Sequence, residues 1–148
     1  MAKDGRVSAL WPCVTFQRPV VYAAAEADSM RVLVIDDDSA FLGMVTAALE
    51  EEGHAVVTAS DGRHGLLRAD DGHPDAIILD LVMANGDGQW FAHAYAKRPG
   101  RHAPIIVVSG YPGTRPRNIE NAVAFLPKPF EIDRLMTVLH GLPGLPSV

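Results

Sequence analysis

One cysteine, Cys13, is all the sequence offers, which excludes an intrachain disulfide framework and suits a reducing compartment. No stretch reaches the roughly 18 consecutive apolar residues that a membrane-spanning helix requires. Lysine and arginine form no run, and the net charge is −5, so the basic stripe of a nucleic-acid binder is missing. What is present is ordinary for one globular domain: 148 residues, 48% apolar and 21% charged. We therefore expect a cytoplasmic protein with no membrane association and no direct DNA contact.

The first 29 residues differ from the rest. They mix isolated apolar residues with Pro12 and Pro19 and keep neither helical nor strand periodicity. Ala23-Ala24-Ala25 suggests a signal-peptide cleavage site, but Gln17, Arg18 and Pro19 interrupt the apolar region such a peptide needs. Residues 1–29 are expected to be a disordered or loosely ordered extension, 30–140 the compact domain, and 141–148 a Gly/Pro tail.

Within 30–140, short buried runs alternate with amphipathic stretches. Arg31 to Asp36, Asp75 to Asp80 and the run Ile105-Ile106-Val107-Val108 carry consecutive aliphatic residues, the mark of strands buried on both faces. His54 to Ala59 is less apolar and belongs nearer a sheet edge, and Ala122 to Leu126 supplies a fifth strand. Between them, Phe41, Leu42, Val45, Ala48 and Leu49 recur at helical spacing after a cap at Asp38 or Ser39, and Gly53 supplies the stop. Leu66 and Leu67 mark a second helix after Asp61-Gly62. Trp90, Phe91 and Tyr95 mark a third from Asp87 or Gly88 to Lys97, packing it to the sheet. The segment from Tyr111 to Asn118 has two prolines and a glycine, leaving room for only a short helix around Arg117 to Asn121. A last helix follows Pro129, with Phe130, Ile132, Leu135, Val138 and Leu139 on its apolar side.

Strands alternating with helices imply a parallel sheet whose chemistry lies at the strands' carboxyl ends. At those ends stand Asp36-Asp37, Asp80, Ser109 and Lys128. Three clustered carboxylates repel one another unless a cation joins them, and Mg²⁺ suits a few carboxylates plus phosphate oxygens. The six histidines show no paired metal spacing and receive no role.

These four marks, in this order and each at a strand end, resemble the receiver domain of two-component response regulators. The resemblance spans Met30 to about His140. It implies an α/β, flavodoxin-like doubly wound (βα)5 fold, a three-layer sandwich around a five-stranded parallel sheet. It further implies that Asp80 accepts a phosphoryl group from a sensor histidine kinase or phosphotransfer protein. Asp36, Asp37, Asp80 and the backbone carbonyl of Val82 would hold Mg²⁺ (or Mn²⁺). Ser109 and Lys128 would bind the phosphoryl oxygens, and Phe125 would be the aromatic switch. The Lys128-Pro129 bond is expected to be cis, the downstream partner is an unspecified protein, and the chain a monomer or weak dimer.

Departures from the family's pattern fall in three places. Met83-Ala84 stands where Met-Pro is usual, Gly110 follows Ser109 where alanine is frequent, and the segment from Ser109 to Lys128 is short. Val82 and Tyr111 flank the expected path of hydrolytic water and are expected to slow loss of the phosphoryl group. Two other functions compete. A degenerate receiver would bind a partner without phosphorylation. A haloacid-dehalogenase-type phosphatase would use the Asp-x-Asp within Asp36-Asp37-Asp38, but Glu131 and Asp133 open a helix instead of supplying its later acidic pair.

Overall fold

The structure is a computed structural model and describes residues 29–84, 87–110 and 119–142. Five strands form one parallel sheet: β1 (Arg31–Ile35), β2 (Ala55–Ala59), β3 (Ala76–Asp80), β4 (Ile105–Ser109) and β5 (Ala122–Pro127). Their order across the sheet is β2-β1-β3-β4-β5. The less apolar β2 lies at an edge, as its composition suggests. Four helices are described: α1 (Ser39–Glu51), α2 (Gly62–Gly72), α3 (Asp87–Ala96) and α4 (Ile132–His140). This is the flavodoxin-like, doubly wound α/β fold.

Alternation along the buried strands divides the core into two layers. Leu33, Ile35, Ile77, Leu79, Ile105 and Val107 pack with Leu66 of α2 and Phe91 and Tyr95 of α3. Val32, Val34, Ile78, Ile106 and Val108 pack with Phe41, Val45 and Leu49 of α1 and Leu135, Met136 and Leu139 of α4. Every residue of β3 and β4 is buried, so the two central strands take their apolar character from both layers.

Local chemistry sets the helix ends. Asp38 caps α1, its Oδ1 accepting from the N–H groups of Ala40 and Phe41. Gly53 follows with φ 95°, a left-handed conformation that glycine adopts without a Cβ clash. Asp61 caps α2 by accepting from the His64 N–H at 2.8 Å. Within α2 only Leu66 of the expected leucine pair is buried; Leu67 is exposed. Trp90 also departs from expectation. Phe91 and Tyr95 stack and face the sheet, whereas Trp90, one position earlier on the helix, is turned sideways and is 37% exposed. The Arg63 guanidinium of α2 lies 4.5 Å from the centroid of its ring.

Between β4 and β5, Ile119–Asn121 form a turn rather than the end of a helix, and residues 111–118 lie outside the described residues. So do Cys13 and Tyr111. Of the N-terminal 29, Ser29 is described: its Oγ donates to the Gly53 carbonyl at 2.8 Å, tying the entry of β1 to the turn before β2. The Lys128-Pro129 peptide bond is cis.

Candidate functional site

The sheet order reverses between β1 and β3, which grow outward in opposite directions. At such a switch point the loops leaving adjacent strands part and open a crevice at the carboxyl edge. Asp36 directly follows β1 and Asp80 ends β3, so both carboxylates stand at that crevice. Asp36 is fully buried and Asp80 nearly so, while Asp37 is exposed. Carboxylate oxygens of all three lie within 4.8 Å of one another.

Each carboxylate has a defined set of partners. Asp36 Oδ1 accepts from the Asp38 N–H at 2.9 Å, and its Oδ2 accepts from the Lys128 ammonium at 2.6 Å. Asp80 Oδ1 accepts from the Val82 N–H at 3.0 Å, and its Oδ2 lies 3.6 Å from Lys128 Nζ. Asp37 Oδ2 accepts from the Ala84 N–H at 3.1 Å. Proline at position 84 would carry no N–H, so this departure from the usual loop adds a contact.

Burial pushes the Asp80 carboxyl above its ordinary value, and repulsion from Asp36 and Asp37 adds to the rise. The Val82 N–H and the Lys128 charge oppose it without cancelling it. The cluster is therefore short of positive charge. Its donors are all carboxylate oxygens, the set a hard divalent cation such as Mg²⁺ favours, so the residues present fit that ion.

Lys128 reaches the site because β5 runs beside β4. Ser109 pairs in register with Pro127, and the Lys128 N–H donates to the Ser109 carbonyl at 2.7 Å. Ser109 is fully buried at the end of β4. Phe125 lies on β5 opposite Val107, half-buried against the layer formed with α2 and α3. Val82, in the loop after β3, is 38% exposed.

The sequence from residue 32 to 140 matches the response regulator receiver domain family. The chain belongs to that family. This receiver is 32% identical over 123 residues to the transcriptional regulatory protein TcrA of Mycobacterium tuberculosis, an alignment covering 81% of this chain and 48% of TcrA. It is 31% identical over 116 residues to the response regulator MprA of Mycolicibacterium vanbaalenii, covering 76% of this chain and 50% of MprA. The receiver thus spans about half the length of these curated relatives. Among solved structures, the chemotaxis response regulator CheY4 of Vibrio cholerae superposes with a TM-score of 0.65 at 30% identity, covering 75% of this chain and 96% of CheY4.

Membership makes this a signalling phosphoacceptor domain rather than a classical enzyme. Burial also disfavours the phosphatase alternative, whose nucleophile would be Asp36: that carboxylate has no exposed surface and both its oxygens are engaged. No helix among the described residues is long and apolar enough to cross a membrane.

Two groupings escaped the sequence reading. The Lys128 ammonium lies over the Phe41 ring, which Phe130 meets edge-to-face, and Glu52, His54 and His140 bring ligand atoms within 4.8 Å of one another at the opposite edge of the sheet. The second resembles a metal cluster, but its chemistry argues otherwise. The Met30 N–H donates to His54 Nδ1 at 3.2 Å, so the neutral ring carries its proton on Nε2 and cannot offer that nitrogen to a metal.

Proposed function

We propose that Asp80 is the phosphoacceptor of this receiver. The observation that carries the reading is Asp80 itself, a buried carboxylate at the switch point, lying between two further carboxylates and a lysine ammonium. In the proposed step an Asp80 oxygen attacks the phosphorus of a phosphohistidine on a sensor histidine kinase or phosphotransfer protein. The P–N bond breaks, the departing imidazole nitrogen takes up a proton, and an acyl phosphate forms on Asp80.

Asp36, Asp37, Asp80 and the Val82 carbonyl would hold Mg²⁺, which when bound neutralises charge on the transferring group. Lys128 supplies a second cation from the protein. The carboxylate 3.6 Å from its ammonium becomes the site of new negative charge, and Lys128 exchanges its bond to Asp36 for one to a phosphoryl oxygen. Ser109 donates its hydroxyl to a second phosphoryl oxygen, and its inward shift makes room for Phe125 to turn. The altered β4–β5 surface is then what a downstream protein reads. The operating unit in this proposal is residues 30–140, flanked by an extension at 1–29 and a tail at 141–148.

Intact-mass measurement after incubation with acetyl phosphate and Mg²⁺ tests the assignment. One phosphoryl adduct is expected, absent from Asp80→Asn and absent with chelator. No adduct on the wild-type chain, or an adduct that persists in Asp80→Asn, would overturn it.

A further inference from the structure

The Lys128 ammonium lies over an aromatic ring as well as beside two carboxylates. Its Nζ lies 4.1 Å from the centroid of the Phe41 ring, as well as 2.6 Å from Asp36 Oδ2 and 3.6 Å from Asp80 Oδ2. Phe41 is the third residue of α1 and is only 9% exposed. One feature fixes its backbone and another packs on its ring. Its own N–H donates to the capping carboxylate of Asp38, at 3.3 Å. Phe130, two residues beyond Lys128, meets the ring edge-to-face at a centroid separation of 6.0 Å and an interplanar angle of 80°.

We propose that Phe41 is a positioning residue for phosphotransfer, its ring face holding the Lys128 ammonium between Asp36 and Asp80. This rests on Asp80 being the phosphoacceptor. The physical case is one of partner type. A ring face attracts a cation through its quadrupole but presents no lone pair that would compete with a phosphoryl oxygen. It also keeps water from that side of the ammonium. A polar residue at this place would bind Lys128 in the resting state and retain it when the phosphoryl group arrives. An aliphatic residue would exclude water but exert no pull. The aromatic ring restrains the ammonium while leaving its protons available, which is what a group that must change partners within one site requires.

The test measures phosphorylation rates of the full chain with acetyl phosphate at saturating Mg²⁺. Phe41→Leu is expected to slow the reaction by about 3- to 30-fold, the span cation–π contacts cover from exposed to desolvated settings. Phe41→Tyr, which keeps the ring face, restores the rate to near wild type. In a Lys128→Ala background, Phe41→Leu is expected to change nothing further, because its effect runs through the ammonium. A merely structural role would slow both backgrounds alike, and that result would overturn the proposal. So would a wild-type rate in Phe41→Leu. Where Phe41→Leu fails to fold, pentafluorophenylalanine at position 41 keeps the shape and reverses the ring's charge distribution; slowing is expected, and an unchanged rate overturns the idea. A wild-type chain that takes up no phosphoryl group at all would sink the Asp80 assignment, and this inference with it. A labelled wild-type chain beside an unaffected Phe41→Leu would sink this inference alone.

Discussion

Lys128 donates to Asp36 across 92 positions of sequence, at 2.6 Å, while the same ammonium stays 3.6 Å from Asp80. The lysine is thus closer to Asp36 than to the proposed acceptor. Burial chiefly holds the Asp80 carboxyl above its ordinary value of 3.8, and the Lys128 charge does not offset it. A buried pair of this kind is costly to break from one side, because the remaining charge is left without a partner. Asp80, by contrast, is a charge the fold tolerates rather than exploits.

That difference gives the first prediction. A carboxyl whose pKa rises on folding binds its proton more tightly in the native state. Its contribution to stability is fully present below the unfolded pKa and is lost as pH rises through the native one. Asp80→Asn keeps the neutral form at every pH. With divalent ions removed, it is expected to be more stable than wild type near neutral pH by about 0.5–2 kcal/mol, the common gain from one stabilising substitution. The gap should close as pH falls through the native pKa of Asp80, and Mg²⁺ should narrow it by binding the complete carboxylate set. Urea denaturation across pH, with and without Mg²⁺, measures this; a variant less stable than wild type at neutral pH would refute it.

The Ala84 N–H, 3.1 Å from Asp37 Oδ2, supports the second prediction. Ala84→Pro removes that donor and stiffens the loop. The lost bond is exposed, and the gain from a less flexible unfolded chain is about 0.4–1 kcal/mol, so stability should change by less than about 1 kcal/mol. Cation binding should change more. An Asp37 oxygen relieved of its N–H is a better donor, and Mg²⁺ should bind about 2- to 10-fold more tightly, the equivalent of one modest hydrogen bond. Titration calorimetry beside Ala84→Gly, which keeps the N–H, decides the matter: equal affinity in both variants would show that the contact does not compete with the ion.

Much of this site is legible in the sequence because its parts obey local rules. Four aliphatic residues in Val32–Ile35 can hardly be other than a buried strand, and a parallel sheet sends Asp36, Asp80, Ser109 and Lys128 to one edge. What escaped depends on meetings between distant elements. Phe41 reads as one more apolar position of α1, and only the path of the chain after β5 reveals that Lys128 lies over its ring. Trp90 and Phe91 are indistinguishable by hydrophobicity; the facing of α3 buries one and leaves the other beside Arg63. His54 has no partner at metal spacing in sequence, yet the end of α4 brings His140 to a ring separation of 5.9 Å. The Ala84 contact was invisible for another reason: a missing proline reads as lost rigidity, not as a gained donor.

Gly88, in the first turn of α3, provides the third prediction. A Cβ there would collide with the Asp80 carbonyl oxygen and come within 2.6 Å of the Leu81 Cα. Both are backbone atoms, so no rotamer change relieves the clash. The absence of a side chain at position 88 is what lets α3 start against the Asp80–Leu81 peptide. Gly88→Ala must push the helix away or drag the Asp80–Leu81 peptide with it. Overpacking of this kind costs about 1–3 kcal/mol, and a displaced Asp80 should also slow phosphorylation beyond what lost stability explains. Gly43 makes the control. It lies within α1, and a Cβ there would meet nothing within 4 Å. Gly43→Ala should stabilise by about 0.5–1 kcal/mol through helix propensity alone and leave the phosphorylation rate unchanged. Opposite signs in denaturation, with slowing confined to Gly88→Ala, would tie the close approach of α3 to the geometry of Asp80. A Gly88→Ala chain as stable and as fast as wild type would break that tie.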